Sequence, residues 1–496
     1  MFFRKSLLAK QSSLKSISIS DFAGGLNSIV DDAYISNNTA KVSYNVNGER
    51  GVLTEGNGVQ AFCIEKDGIS LPVCADTGEK IQKLWYFKRF DEINSVNDDR
   101  IIFLSNQNKL YSVKINGGEG AVCIDSTPFN AVPQAINYRL KGKDVIIFCS
   151  LKDDMRVYDG QNPPTTVSSA PRVSSMCVHY DRLFATTLTD KNTLVFSDDL
   201  DLTNWDVDID CAGYITMTDE RGALLKVVSF LNYLFVFREY GISRLIAYGA
   251  QEGFSLTHLF LTTGKILGNT VCVCGETIIF LTEQGLFQFD GNSAKKILSN
   301  LDGYFEGCDN ANATATYCNG KYYLSANVNF FDGKRTSAEK NGCINNAVLE
   351  IDLFDGSTNL MRGFDVISLV GINGDGVNGL FMCFGEKQPY SKYVGKLYKG
   401  GKLFDTNTLK AWTCPDSDLN KVVGKKQLLY ITLLSKHDVT LVFDVDGKEY
   451  FFEVKGMQRG QKVPLNLVGE SFGMQIVCKT ENMFVSRPQL VFKEYA

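Results

Sequence analysis

Six short tags recur along this chain, each an aromatic-bearing strand end that runs into a glycine. They are YSVKING (111–117), RVYDG (156–160), LFQFDG (286–291), EIDLFDG (350–356), KLYKG (396–400) and VFDVDG (442–447). Successive tag glycines lie 43, 131, 65, 44 and 47 residues apart. The 131 gap is close to three units of 44, with LIAYG ending at Gly249 near its second division. The 65 gap is one unit plus a polar insertion, NFFDGKRTSAEKNGCINN (329–346). A period near 44 with several short strands per unit is the spacing of β-propeller blades, each a small four-stranded sheet. Markers near 117, 160, 204, 249, 291, 356 and 400 allow six to eight blades.

The composition agrees. The chain has 33 Phe, 21 Tyr and 44 Gly but only 10 Pro among 496 residues, which suits many strands joined by tight turns. Strand-like runs such as RIIFLSNQNKLYSVKI, KDVIIFCS, YLFVFRE and TIIFLTEQGLFQFDG fill 60–415, with no convincing amphipathic helix. The expected fold is therefore all-β: an extended N-terminal arm and docking segment over 1–59, a propeller over 60–415, and a β module over 416–496. The longer, better alternated strands of the last segment favour a small sandwich over a final blade.

A net charge of −5 excludes a global basic field for holding nucleic acid. No apolar stretch approaches the roughly 20 residues of a membrane span. Residues 1–20 are basic and Ser-rich with no acid before Asp21. Their apolar pieces are too short for a signal-peptide core, and a mitochondrial-type presequence is the alternative reading. Many of the 14 cysteines sit inside apolar runs, as small buried hydrophobes do in a reducing compartment, so cytoplasmic synthesis is expected.

Catalytic patterns are missing. The three histidines (His179, His258, His437) stand far apart, and no G-x-S-x-G, H-E-x-x-H or G-x-x-x-x-G-K-[ST] occurs. Cys272 and Cys274 share a strand face but lack further ligands, so they read as buried apolar cysteines rather than a metal pair. The acidic stretch SDDLDLTNWDVDID (197–210) lacks calcium-loop spacing and reads as a solvated loop between blades. Trp205 and Trp412, each at a strand end, are expected to pack blade against blade. No enzyme activity, cofactor or metal is expected.

Several phrases resemble a known family. DFAGGLN (21–27) followed by VSYNVNGERGVLTEGNGV (42–59) is similar to the opening of bacteriophage tail proteins, in which a GGLN stretch precedes an N…G.L..R.G stretch; here Thr-Glu replaces the common basic residue. HYDRLFATTLTDKNTLVFSDDLDLTNWD (179–206), ETIIFLTEQGLFQFDG (276–291), TYCNGKYYLSANV…NAVLEIDLFDG (316–356) and TLKAWTCPDSDL…KKQLLYI resemble later parts of the same proteins. These are tail hub, nozzle or stabilisation proteins of short-tailed phages. The resemblance implies a virion protein whose copies form a homo-oligomeric ring below the portal, bound to upstream portal-adaptor or connector proteins and other tail proteins. Such a ring lines and closes the DNA channel, retains and ejects the genome, and passes DNA without sequence specificity or a membrane. An acidic balance would suit such a conduit, because like charge keeps DNA from sticking. Phe22, Gly24, Gly25, Leu26 and Asn27 are then the candidate docking residues. Lys334, Arg335, Glu339 and Lys340 in the insertion are candidates for a gate or inter-subunit loop, an idle surface loop being the other reading.

Two rivals stay open on the sequence. One is a monomeric propeller that binds a protein or glycan on one face. The other is a propeller glycosidase using paired carboxylates, whose pairing in space a sequence does not show.

Overall fold

The computed structural model describes residues 14–494 apart from 20, 29–38, 50, 67–68, 74–76, 93, 117–118, 209–211, 375–376 and 420–423. The basic segment 1–13 and the first tag glycine, Gly117, lie outside the described residues, as do the last two positions of the acidic stretch, 209–210.

Seven sheets follow one another along the chain. Blades 1 to 6 span 81–125, 134–167, 173–216, 224–261, 272–296 and 314–362, each with four antiparallel strands in chain order. Blade 7 takes its first three strands from Val366–Asn373, Asn378–Phe384 and Gly395–Lys399. Its fourth comes from the other end of the chain: Asn57–Ala61 pairs antiparallel with Gly395–Lys399, from Asn57 opposite Lys399 to Ala61 opposite Gly395. The chain thus closes its own ring, and the edge of the last blade is covered.

Seven apolar clusters occupy the seven junctions between neighbouring blades. Trp85 packs edge-on to Phe148 between blades 1 and 2, Ile147 and Leu183 share the cluster between 2 and 3, and Phe184 and Val236 share that between 3 and 4. Phe237 and Phe280 join blades 4 and 5, Leu281 and Leu324 join 5 and 6, Val348 and Met382 join 6 and 7, and Phe381 and Phe103 join 7 and 1. The second strand of each blade is covered on both faces, which is why Tyr233–Arg238 and Thr277–Thr282 are almost wholly apolar rather than alternating. Side chains of inner strands stitch the ring as well. Ser175 Oγ accepts from the Val227 amide, Ser368 Oγ from Leu84 and Thr316 Oγ1 from Gly371.

The tags mark one structural position. Gly160, Gly249, Gly291, Gly356 and Gly400 follow the third strands of blades 2, 4, 5, 6 and 7, all at positive φ. The sixth tag breaks the pattern: VFDVDG is a hairpin turn of the C-terminal module, between Val439–Val445 and Lys448–Val454. The insertion 329–346 lies between the second and third strands of blade 6.

The module is a sandwich of two sheets. One runs Val46–Glu49, Val52–Glu55, Phe484–Glu494, Lys426–Ser435, Gln461–Gly469, with Lys15–Ser18 also paired to Phe484–Glu494. The other runs Val42–Tyr44, Lys410–Thr413, Phe472–Cys478, Val439–Val445, Lys448–Val454. Leu428, Ile431 and Leu433 of the first pack with Leu441, Phe443 and Ile476 of the second. Two expected boundaries are corrected. The module begins at Lys410 rather than 416, because Lys410–Thr413 pairs with Phe472–Cys478. The segment 1–59 is also no separate unit: four of its strands belong to the sandwich and a fifth enters blade 7.

Candidate functional site

The sandwich sits against the outer strand of blade 6, and the joint between them gathers most of the residues singled out above. Phe22 is buried edge-on to Trp412, ring centroids 5.0 Å apart. Gly25 turns the chain at φ +75°, Leu26 is buried and bridges Ala40, and the Asn27 amide donates to the Ala40 carbonyl at 3.0 Å. Asn45 crosses the joint. Its side-chain Nδ2 donates to the carbonyls of Arg362 and Leu409, and its side-chain Oδ1 accepts from the Arg362 backbone amide. Phe22, Gly24, Gly25, Leu26 and Trp412 line a cleft of 700 Å³ whose far wall is the blade 6 turn around Asp355–Asn359. The docking candidates are therefore part of the joint's packing, with their glycines facing this cleft.

The insertion is fastened from beneath by Arg362, which ends the outer strand of blade 6 and is buried. Its guanidinium donates to Asp332 at 2.7 Å, to both Glu339 carboxylate oxygens at 3.1 Å and to the Lys334 carbonyl at 2.6 Å. It also lies over the rings of Phe330 (3.9 Å) and Tyr44 (4.9 Å). Glu339 closes a capping box with Thr336 at the start of Ser337–Lys340. Tyr44 donates to Asp332, and burial together with that carboxylate raises the phenol well above its ordinary range. Of the four gate candidates, Glu339 is thus a structural counter-ion and Lys334 reaches Gln475 of the sandwich at 3.0 Å, while Arg335 and Lys340 are exposed. The arrangement ties blade 6, insertion and sandwich together.

The tryptophans divide. Trp205 packs on the cluster between blades 2 and 3, and its indole N–H donates to the Leu202 carbonyl at 2.7 Å. Trp412 belongs to the sandwich and the joint, not to a junction between blades, because its strand pairs with Val42–Tyr44 and Phe472–Cys478. Cys274 is buried. Cys272 is only half-buried and stands near Lys226, which the sequence did not suggest. All twelve described cysteines are free thiols. Among the described residues no group of three or more His, Cys, Asp or Glu could hold a metal ion, and no helix is long and apolar enough to cross a membrane.

No family model matches the chain, and no curated protein matches it significantly. Among solved structures it is similar to BBS1N in a complex with ARL6DN, at 8% identity over 64% of this chain and 92% of that one, TM-score 0.42. It is also similar to virginiamycin B lyase from Staphylococcus aureus, at 9% identity over 69% and 99%, TM-score 0.39. The propeller is established by the sheets themselves, and these likenesses add nothing on function.

Proposed function

We propose that this chain is a structural virion protein of a short-tailed phage, a tail hub or nozzle whose copies ring the DNA path below the portal. The observation that carries the reading is the joint. The opening phrase that resembles this family (21–27) and its closing phrase (from Thr408) are almost 400 residues apart, yet they meet as Phe22 on Trp412. Between them, the phrases at 179–206, 276–291 and 316–356 supply strands of blades 3, 5 and 6. The resemblance therefore follows a scaffold, propeller plus end-stapled sandwich, rather than isolated words. On this reading DNA passes between copies, since the centre of the propeller is walled by its own inner strands.

A monomeric binding propeller is the second reading, favoured by one exposed apolar group. Tyr180 and Tyr248 stack edge-on at 5.1 Å on turns of blades 3 and 4, and exposed Leu200 donates its amide to the neighbouring Asp181 carbonyl. Light scattering separates the two, with the protein alone and mixed with emptied virions or the connector. A ring-sized mass, alone or on the connector, is expected. A monomer under every condition that ignores the virion would overturn the virion reading.

A further inference from the structure

The middle of the propeller carries a charge arrangement that the fold does not need. Among the seven inner strands not one residue is Asp or Glu, in a chain where acids (56) outnumber Lys and Arg (51). Those strands hold three Lys or Arg side chains: Lys83, Arg139 and Lys226. Arg139 is exposed and paired with Glu92 and Asp144. Lys83 and Lys226 have no hydrogen-bond or ion-pair partner among the described residues.

The two lysines occupy matching positions. Each follows a β-bulge on an inner strand, Lys83 opposite Leu104 in blade 1 and Lys226 opposite Phe237 in blade 4. Ser175 and Ser368 fill the same place in blades 3 and 7. Blade 1 adjoins blades 7 and 2, and blade 4 adjoins blades 3 and 5, so side chains of blades 1 and 4 can meet only across the central axis. Burial, the larger cause, and behind it the Lys226 charge across that axis hold the Lys83 ammonium below its ordinary range. Both side chains are largely buried, each with part of its surface exposed. The other titratable groups facing them are thiols, Cys383 beside Lys83 and Cys177 and Cys272 beside Lys226.

We propose that the central tunnel is an anion site, holding a small divalent oxyanion of the phosphate or sulfate class between the ammonium groups of Lys83 and Lys226. Two buried like charges without a counter-ion are costly, and a bridging dianion removes both the desolvation and the repulsion. An oxyanion presents acceptors to two opposite walls at once, which a single halide does less well. The Ser175 hydroxyl, which accepts from Val227 beside Lys226, keeps its own proton for such a ligand. Burial lowers both lysine pKa values, so binding has to weaken as pH rises and the ammonium groups lose their protons. This site is independent of the virion reading.

The test uses the full-length protein in a buffer free of halide and oxyanions. Calorimetric titration and thermal unfolding are followed with inorganic phosphate, sulfate and chloride, for the parent, Lys83→Met, Lys226→Met and the double variant. Methionine keeps the apolar stem and deletes an unpaired buried charge, so the variants are expected to fold at least as well without anion. Saturable phosphate or sulfate binding to the parent is expected, tighter at pH 7 than at pH 9.5. Each single substitution should weaken it at least about tenfold and the double should abolish it. Absence of saturable binding to the parent, or equal binding by the double variant, overturns the site. Chloride matching phosphate overturns the oxyanion assignment.

Discussion

His179 ends the inner strand of blade 3 with Nδ1 2.8 Å from Ser229 Oγ of blade 4, while Nε2 is buried without a partner among the described residues. Burial pushes the imidazole pKa down to about 4, against roughly 6.5 in an unfolded chain. The folded protein therefore refuses a proton that the unfolded chain accepts. The stability tied to this group is fully present above pH 6.5 and is lost as pH falls towards 4, by at most about 3 kcal/mol. Urea unfolding from pH 7 to 4.5 should show the difference between the parent and His179→Asn shrinking as pH falls. A difference independent of pH would refute a buried neutral histidine. The sequence kept His179 apart from any catalytic pattern but did not place it between blades. Lys83 and Lys226 were missed for a similar reason: a lysine in an alternating strand reads as solvent-facing, and only the closed ring turns that face inward.

Elements show where local pattern stops being informative. Blade strands and their turns were legible because burial of the second strand on both faces and a glycine after the third leave marks within each repeat. The closing strand Asn57–Ala61 left none, since its partner lies over 330 residues away and a strand edge does not encode which edge it joins. Gly58 makes the closure sharply testable, for a Cβ there would collide with the carbonyl oxygens of Gly400 and Lys402. Gly58→Val should lower stability by about 3 kcal/mol or unfold the chain, whereas Gly460→Val, at an exposed position where a Cβ meets only the Leu433 carbonyl oxygen at 3.9 Å, should change it far less. Similar melting temperatures for the two would contradict the ring closure. The insertion looked like a loop because its anchor, Arg362, stands outside it. Arg362→Met strands the Asp332 and Glu339 carboxylates without their cation, a loss of about 3–5 kcal/mol. Tryptic cleavage after Lys334 or Arg335 should then accelerate on the order of a hundredfold. A cleavage rate unchanged from the parent would mean that Arg362 does not hold the insertion down.

At the scale of the whole molecule, both chain ends bind the sandwich to the ring, and this has a thermodynamic consequence. Strands Val42–Tyr44, Val46–Glu49 and Val52–Glu55 run in the sandwich, and Asn57–Ala61 follows at once in blade 7, so neither unit can lose its N-terminal strands alone. Phe22, Tyr44, Tyr304, Trp412 and Leu428 share one apolar cluster across the joint. Calorimetry should therefore show a single transition for propeller and sandwich, and Trp412→Ala should lower it as a whole, by about 3–5 kcal/mol for a buried tryptophan. Two resolved peaks would mean that the joint does not couple the units. The same scan bears on the proposed ring, because assembly that involves only folded copies makes the midpoint rise with protein concentration. Carried out from micromolar to hundreds of micromolar, a rising single peak is the expected result for self-associating subunits. A midpoint independent of concentration would leave assembly to the connector, and light scattering on the emptied virion would then decide whether any ring forms.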